Sequence, residues 1–230
     1  MQQKLTQNTA VLLFANSAEE DCYIKKIADS KPLFDALTER TLRTVKATGL
    51  PFFHLTEKNQ LGNTFGERFS NAIQQIFDFG YSQIITVGND SPQLIAQHII
   101  EAKNQLSDQN TVLGPSLDGG FYLLGIHRSN FNKETFESLP WQTARLYGET
   151  KEYFNSYGCE VRTLERLIDV DSISDIKQLS NYIKSLTKYW IGLFSGVLRS
   201  KNSFSKTASL YFQSSYRSVY FNKGSPLRFA

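Results

Sequence analysis

The sequence predicts an α/β fold: a three-layer α/β/α sandwich around a mostly parallel sheet. Two observations predict it. Short apolar runs recur along the 230 residues, and between them lie stretches whose apolar residues fall at helical intervals. Composition agrees. With 40% hydrophobic and 13% aromatic residues the chain can bury a sizeable core, which excludes disorder throughout.

Residues 10–15 (AVLLFA) read as the first buried strand and 16–21 as a polar loop. Within 32–48, Leu33, Phe34, Leu37, Leu42 and Val45 recur at helical spacing until Gly49 ends the helix, and 51–55 is a short second strand. A second helix spans 64–79, with Phe65, Phe69, Ile73, Ile76 and Phe77 inward and Gly80 at its end. Residues 83–87 (QIITV) are a third buried strand running into Gly88-Asn89-Asp90-Ser91-Pro92, where Pro92 suits the first turn of a helix over 92–106. Strands at 111–113 and 119–126 follow, then a helix over 143–157, a strand at 160–164 and a helix over 172–186 capped by Ser172.

The formal charge of +3 hides a split. Residues 1–175 hold 16 basic and 22 acidic side chains, a net of −6, whereas 176–230 hold nine basic and no acidic ones, a net of +9. The split predicts a body over 1–185 and a basic aromatic extension over 186–230. Cys22 and Cys159 are too few for a disulfide framework and suit a reducing cytosol. Residues 1–9 are polar without a signal-peptide core, and no stretch reaches the ~18 apolar residues that span a bilayer. The expectation is a cytoplasmic chain, soluble or peripheral to a membrane.

In open α/β sheets ligands collect beyond the carboxyl ends of the strands. Three acidic segments fall there: Asp90 in GNDSP, Asp118 in GPSLDGG, and Asp169 with Asp171 in LIDVDS. Carboxylates converging on one sheet edge suit a hard divalent cation, Mg²⁺ or Mn²⁺, which takes oxygen ligands and bridges phosphates. Each acid also has a structural alternative. Asp90 can cap the following helix, Asp118 fits a tight turn before two glycines, and Asp169 and Asp171 can be loop acids ahead of Ser172. Arg68 can meet phosphate or only solvent. Gly62 and Gly66 flank a helix start whose amides can bind an anion or simply turn the chain. His54, His98 and His127 show no metal-ligand or triad spacing.

GNDSPQL, VLGPSLDGGFYLLGI, LPWQT and LIDVDSISDI occur in that order, with QLGNTFGERFSNAI ahead of them. Together they resemble a largely uncharacterised bacterial family assigned as nucleotide-diphospho-sugar transferases, of glycosyltransferase-A-like fold. That family is similar to molybdenum-cofactor nucleotidyltransferases and to phospholactate guanylyltransferase. The resemblance runs from Val11 to Asp175. It implies a divalent metal and transfer of a sugar from a nucleotide-diphospho-sugar to an acceptor the sequence does not name. It implies Asp90, beside Asn89, as the main metal and diphosphate-side residue, with Asp169 or Asp171 as a second acidic contact. Asp118 would be the general base or acceptor-orienting residue, in a loop with Gly119 and Gly120, and Trp141, Gln142 and Thr143 would line the cleft.

One departure stands out. Family members follow the first strand with a glycine loop and a Lys-Thr-Arg-Leu run that holds phosphates. Residues 16–26 here contain no glycine and carry Glu19, Glu20 and Asp21 before Lys25 and Lys26. The two lysines can stand for the basic pair, but a triphosphate would face the three acids. Nucleotidyl transfer from a nucleoside triphosphate therefore ranks below nucleotide-sugar chemistry, and a catalytically silent binding protein of the same fold is the other alternative.

The resemblance does not cover 186–230, where Tyr189, Trp190, Phe194, Tyr211 and Phe212 alternate with Lys188, Arg199 and Lys201. A short amphipathic helix is expected over 189–198. The leading expectation packs these aromatics on the body or on a second copy of the chain. A peripheral membrane contact comes second and single-stranded nucleic acid third.

Overall fold

The computed structural model describes residues 9–182 and 190–198. A six-stranded sheet organises them in the order β2-β1-β3-β5-β4-β6. The strands are β1 (Thr9–Phe14), β2 (Phe52–Leu55), β3 (Gln83–Val87), β4 (Asn110–Pro115), β5 (Phe121–His127) and β6 (Glu160–Thr163). Five run parallel, and β5 alone is reversed, between β3 and β4. Val87 at the end of β3 therefore pairs with Leu123 near the start of β5. This reversal sets the β4–β5 turn, which carries Asp118, at the same edge as the carboxyl ends of β1 and β3.

The helices are α1 (Ala18–Lys25), α2 (Lys31–Ala47), α3 (Phe65–Asp78), α4 (Ala96–Gln105), α5 (Lys133–Glu137), α6 (Leu146–Ser156), α7 (Ile173–Tyr182) and α8 over 190–198. Strand β1 is buried on both faces. Ala10, Leu12 and Phe14 enter the core beneath α3, α5 and α6; Val11, Leu13 and Ala15 enter the core beneath α2 and α4. That double burial is why β1 reads as an unbroken apolar run. A third core joins Ala18 of α1, Leu33, Phe34 and Leu37 of α2, and Ile176 and Leu179 of α7 with Trp190, Phe194 and Val197 of α8. Lys188, Tyr189 and residues 199–230 lie outside the described residues, and the membrane and nucleic-acid expectations lie there with them.

Three expectations need correction. Residues 16–21 are not a loop, because Ser17 caps α1 by accepting from the Glu20 amide. Glu19, Glu20 and Asp21 fill its first turn, where negative charge meets the positive end of the helix dipole. Pro92 does not open a helix. Arg40 Nε donates to Pro92 O at 2.7 Å and the Ile168 amide to Gln93 Oε1 at 2.9 Å, which ties this turn to its neighbours, and α4 begins at Ala96. Gly119 and Gly120 stay in the β4–β5 turn, and β5 begins at Phe121. Among the described residues no helix is long and apolar enough to cross a membrane, and both cysteines are free thiols.

Candidate functional site

The segment after β3 meets the segment before α7 at the carboxyl edge of the sheet. The Val170 amide donates to Asp90 O at 2.8 Å, and Ser91 Oγ donates to Asp169 Oδ1. Helix α1 brings in Lys25, whose ammonium lies 2.8 Å from Val170 O, 2.9 Å from Asp171 Oδ1 and 3.4 Å from Asp90 Oδ2. Asn89 braces the same junction, donating to Asp21 Oδ2 at 3.3 Å and to Thr38 Oγ1 at 2.9 Å. Asp21, Asn89, Asp90 and Asp169 are all buried.

Several carboxylates thus share one ammonium. Burial works against the charge on Lys25, but Asp171, Asp90 and Asp21 outweigh it and hold the ammonium well above its ordinary pKa. Burial pushes Asp171 up to about 7, since Lys25 only partly offsets it and Asp90 and Asp169 add repulsion. Burial raises Asp21 as well, with Asp90 adding to it against Lys25. A divalent ion takes oxygen ligands at roughly 2.0–2.6 Å. Here Asp90 and Asp171 close on an ammonium and Asp169 on a serine hydroxyl, so this arrangement does not fit Mg²⁺ or Mn²⁺. Among the described residues no group of three or more His, Cys, Asp or Glu is set to hold a metal ion.

The start of α1 differs from a phosphate cradle. Ser17 donates its amide to Glu57 Oε2 at 2.7 Å and its hydroxyl to Glu57 Oε1 at 2.9 Å. Burial alone would raise Glu57, but these bonds outweigh it and keep the carboxyl below its usual range. Glu19 turns outward to Lys31 at 2.9 Å. Of the consecutive acids, Asp21 is the one tied to the Asn89–Asp90 junction, which corrects the picture of three acids facing one phosphate. Lys26 is exposed and ends α1 in the left-handed region at φ 50°.

The Asp118 turn lies beside the second acidic segment. The Leu167 amide donates to Pro115 O and the Leu117 amide to Leu167 O, both at 3.1 Å. Asp118 Oδ1 accepts from Ser116 Oγ and, at 3.0 Å, from the Gly120 amide. Its Oδ2 is buried and accepts no bond among the described residues. Gly119 has φ +92°, and a Cβ there would lie 2.2 Å from Ala144 O, so the turn is pressed onto the chain entering α6.

Across this edge opens a small cleft, walled by Phe14, Phe65, Phe69, Phe121 and Trp141, with Gly88 and Gln142 in its lining. Trp141 is both anchor and wall. Its indole N–H donates to Phe136 O at 2.9 Å, and its ring lies 5.0 Å from Phe136 and 5.4 Å from Phe65. Thr143 is not part of the lining: its hydroxyl donates to Pro140 O at 2.8 Å and accepts from the Arg145 amide at 3.3 Å. The start of α3 is closed by a capping box, in which Glu67 accepts from the Thr64 amide at 3.5 Å and Thr64 Oγ1 from the Glu67 amide at 3.1 Å, and Glu67 also accepts from the Asn63 amide at 2.7 Å. Gly62, at φ +134°, turns the chain into that cap, and Arg68 is half-buried just beyond it.

The structure therefore gathers Lys25, Asn89, Asp90, Asp169 and Asp171 at one junction. It sets Trp141 and Gln142 in the cleft and places Asp118, Gly119 and Gly120 in the neighbouring turn. Ser91, Phe14 and Phe121 escaped the sequence reading as site residues, and Asp21 entered it only as an acid of the first loop. Asp21 had a signal: it stands four residues before Lys25, a shared helix face once 18–25 is helical.

Residues 34–143 match a family described as an uncharacterized protein conserved in bacteria (DUF2064). No curated protein matches the chain. A "putative nucleotide-diphospho-sugar transferase" from Desulfovibrio desulfuricans G20 is similar in structure at a TM-score of 0.70 and 21% identity, over 88% of this chain and 98% of its own. 4-Diphosphocytidyl-2C-methyl-D-erythritol synthase from Anaerococcus prevotii DSM 20548 is similar at 0.52 and 9% identity, over 76% of this chain and 98% of its own. The fold is that of the nucleotide-diphospho-sugar transferases, and the family resemblance read from the motifs is borne out.

Proposed function

We propose that the chain is a transferase acting on a nucleotide-diphospho-sugar and passing the sugar to an acceptor hydroxyl. One observation supports this above the others. Within this fold, the joined 88–92 and 167–171 segments and the Asp118 turn converge on one sheet edge, beside an aromatic cleft. The donor diphosphate lies along the Gly88–Pro92 segment near Lys25, and Trp141 offers a ring face to the donor or acceptor. Asp118 serves the acceptor. Its Oδ1 is fixed by Ser116 and Gly120, while Oδ2 takes the proton of the attacking hydroxyl. The oxygen bonds to the anomeric carbon, the bond from that carbon to the diphosphate breaks, and a nucleoside diphosphate leaves.

Nucleotidyl transfer from a triphosphate is the weaker reading, because the Ser17 amide and hydroxyl already hold the Glu57 carboxylate. The test is thermal melting with UDP-, GDP- and dTDP-sugars and with nucleoside triphosphates, followed by hydrolysis of any nucleotide sugar that binds. The expected outcome is saturable stabilisation by at least one nucleotide sugar, weakened in Asp90→Ala, and turnover lost in Asp118→Asn with binding retained. No response to any nucleotide sugar would leave the catalytically silent binding protein as the better account.

A further inference from the structure

We propose that Lys25 is the resident cation of the acidic junction, standing where a divalent metal would bind, so that this site engages its ligand without Mg²⁺ or Mn²⁺. An ammonium carries three N–H donors. Three oxygens receive them: Val170 O at 2.8 Å, Asp171 Oδ1 at 2.9 Å and Asp90 Oδ2 at 3.4 Å. These oxygens come from both acidic segments, so the lysine supplies the bridge that a metal would otherwise supply. The Lys25 side chain is 7% exposed, and its ammonium sits 5.1 Å from the centre of the Phe34 ring.

Withdrawing the lysine would leave Asp90 and Asp171 buried together without their counter-charge, a strongly unfavourable arrangement. A metal ion at the same oxygens must first expel it. The contact to Asp90 is the longest of the three, and it is the one an incoming phosphoryl oxygen would exchange. That exchange rests on the nucleotide-diphospho-sugar reading; the displacement of a metal by Lys25 does not.

Mn²⁺ alone is the probe, titrated without nucleotide onto wild type and Lys25→Met and followed by the electron paramagnetic resonance of the free ion. Wild type leaves Mn²⁺ free up to about 1 mM, whereas Lys25→Met, which releases both carboxylates, binds it at least about tenfold more tightly. A wild type that binds as tightly as the variant overturns the proposal, and so does a folded variant that binds no better than wild type. Should Lys25→Met not fold, the wild-type titration decides alone: saturable binding overturns the proposal and its absence upholds it. Nucleotide-sugar melts in EDTA and in Mn²⁺ separate the two proposals. No response in either buffer defeats the transferase reading and leaves the Mn²⁺ titration standing, while a response that requires Mn²⁺ defeats the role of Lys25.

Discussion

Replacing Gly119 by alanine measures how tightly the Asp118 turn is held. Two costs are expected. Gly119 has φ +92°, a conformation that costs an L-residue roughly 1–2 kcal/mol. The new methyl would also stand 2.2 Å from Ala144 O, which is backbone and cannot swing aside. Relieving that clash moves the turn away from α6. The bond from the Tyr147 amide to Gly119 O, 2.9 Å long, is lost at about 1 kcal/mol, and the bond from the Gly120 amide to Asp118 Oδ1 is strained at about 1.5–3 kcal/mol. The sum is about 3.5–6 kcal/mol, or roughly 10–20 °C in Tm for a domain of this size. Gly80→Ala is the matched control, with φ +97° and nothing within 4 Å of the added Cβ. It carries only the backbone cost and should lose about 1 kcal/mol once the stiffer unfolded chain is counted. Urea denaturation of both variants at one pH, followed by circular dichroism, reads the difference. Equal losses, within about 0.5 kcal/mol, would refute the close approach of the Asp118 turn to Ala144.

Asp171 makes stability depend on pH. Its folded pKa of about 7 lies above the ordinary 3.8, so between these values the folded chain binds a proton that the unfolded chain does not. The associated stability is fully present below the lower value and is lost as pH rises through the upper one. Taking wild type from pH ~8 to pH ~6 should raise its stability by about 1.4 kcal/mol per unit below neutrality, and Asp171→Asn should flatten that slope. The difference between the two slopes cancels the histidine contributions; identical slopes would contradict the assignment. Phe194 is 1% exposed in the core shared with Leu33 and Phe34, so Phe194→Ala should cost roughly 3–5 kcal/mol in urea. A loss under about 1 kcal/mol would mean that α8 does not pack there in solution.

Much of the fold was legible because strand and helix signals are local. QIITV was read as a strand over 83–87, and β3 spans those residues, since the four consecutive β-branched positions from Ile84 to Val87 need no distant partner to be recognised. Helix α1 was missed for the same reason in reverse. It has eight residues, only Ala18 and Asp21 among them are buried, and its capping serine is also a common loop residue. Pro92 misled because its turn is bonded to Arg40 and flanks the Gln93 contact with Ile168, neither of which a window around residue 92 contains.

The site divides along the same line. That Asp90, Asp118, Asp169 and Asp171 would gather at one edge followed from the order of strands, because each acid stands just beyond a strand or hairpin end. What they would gather around did not. Lys25 reaches Val170 across 145 residues and Asp90 across 65, and both pairings exist only because the sheet order places those segments beside α1. The sequence by itself determined the α/β class and which acids crowd the carboxyl edge, since periodicity and motifs are written locally. Tertiary structure alone decided that an ammonium lies among them, that Glu57 closes the start of α1, and that aromatic side chains from β1, α3 and β5 wall one cleft. Burial and charge pairing depend on neighbours in space, and those neighbours are set only once the sheet is assembled.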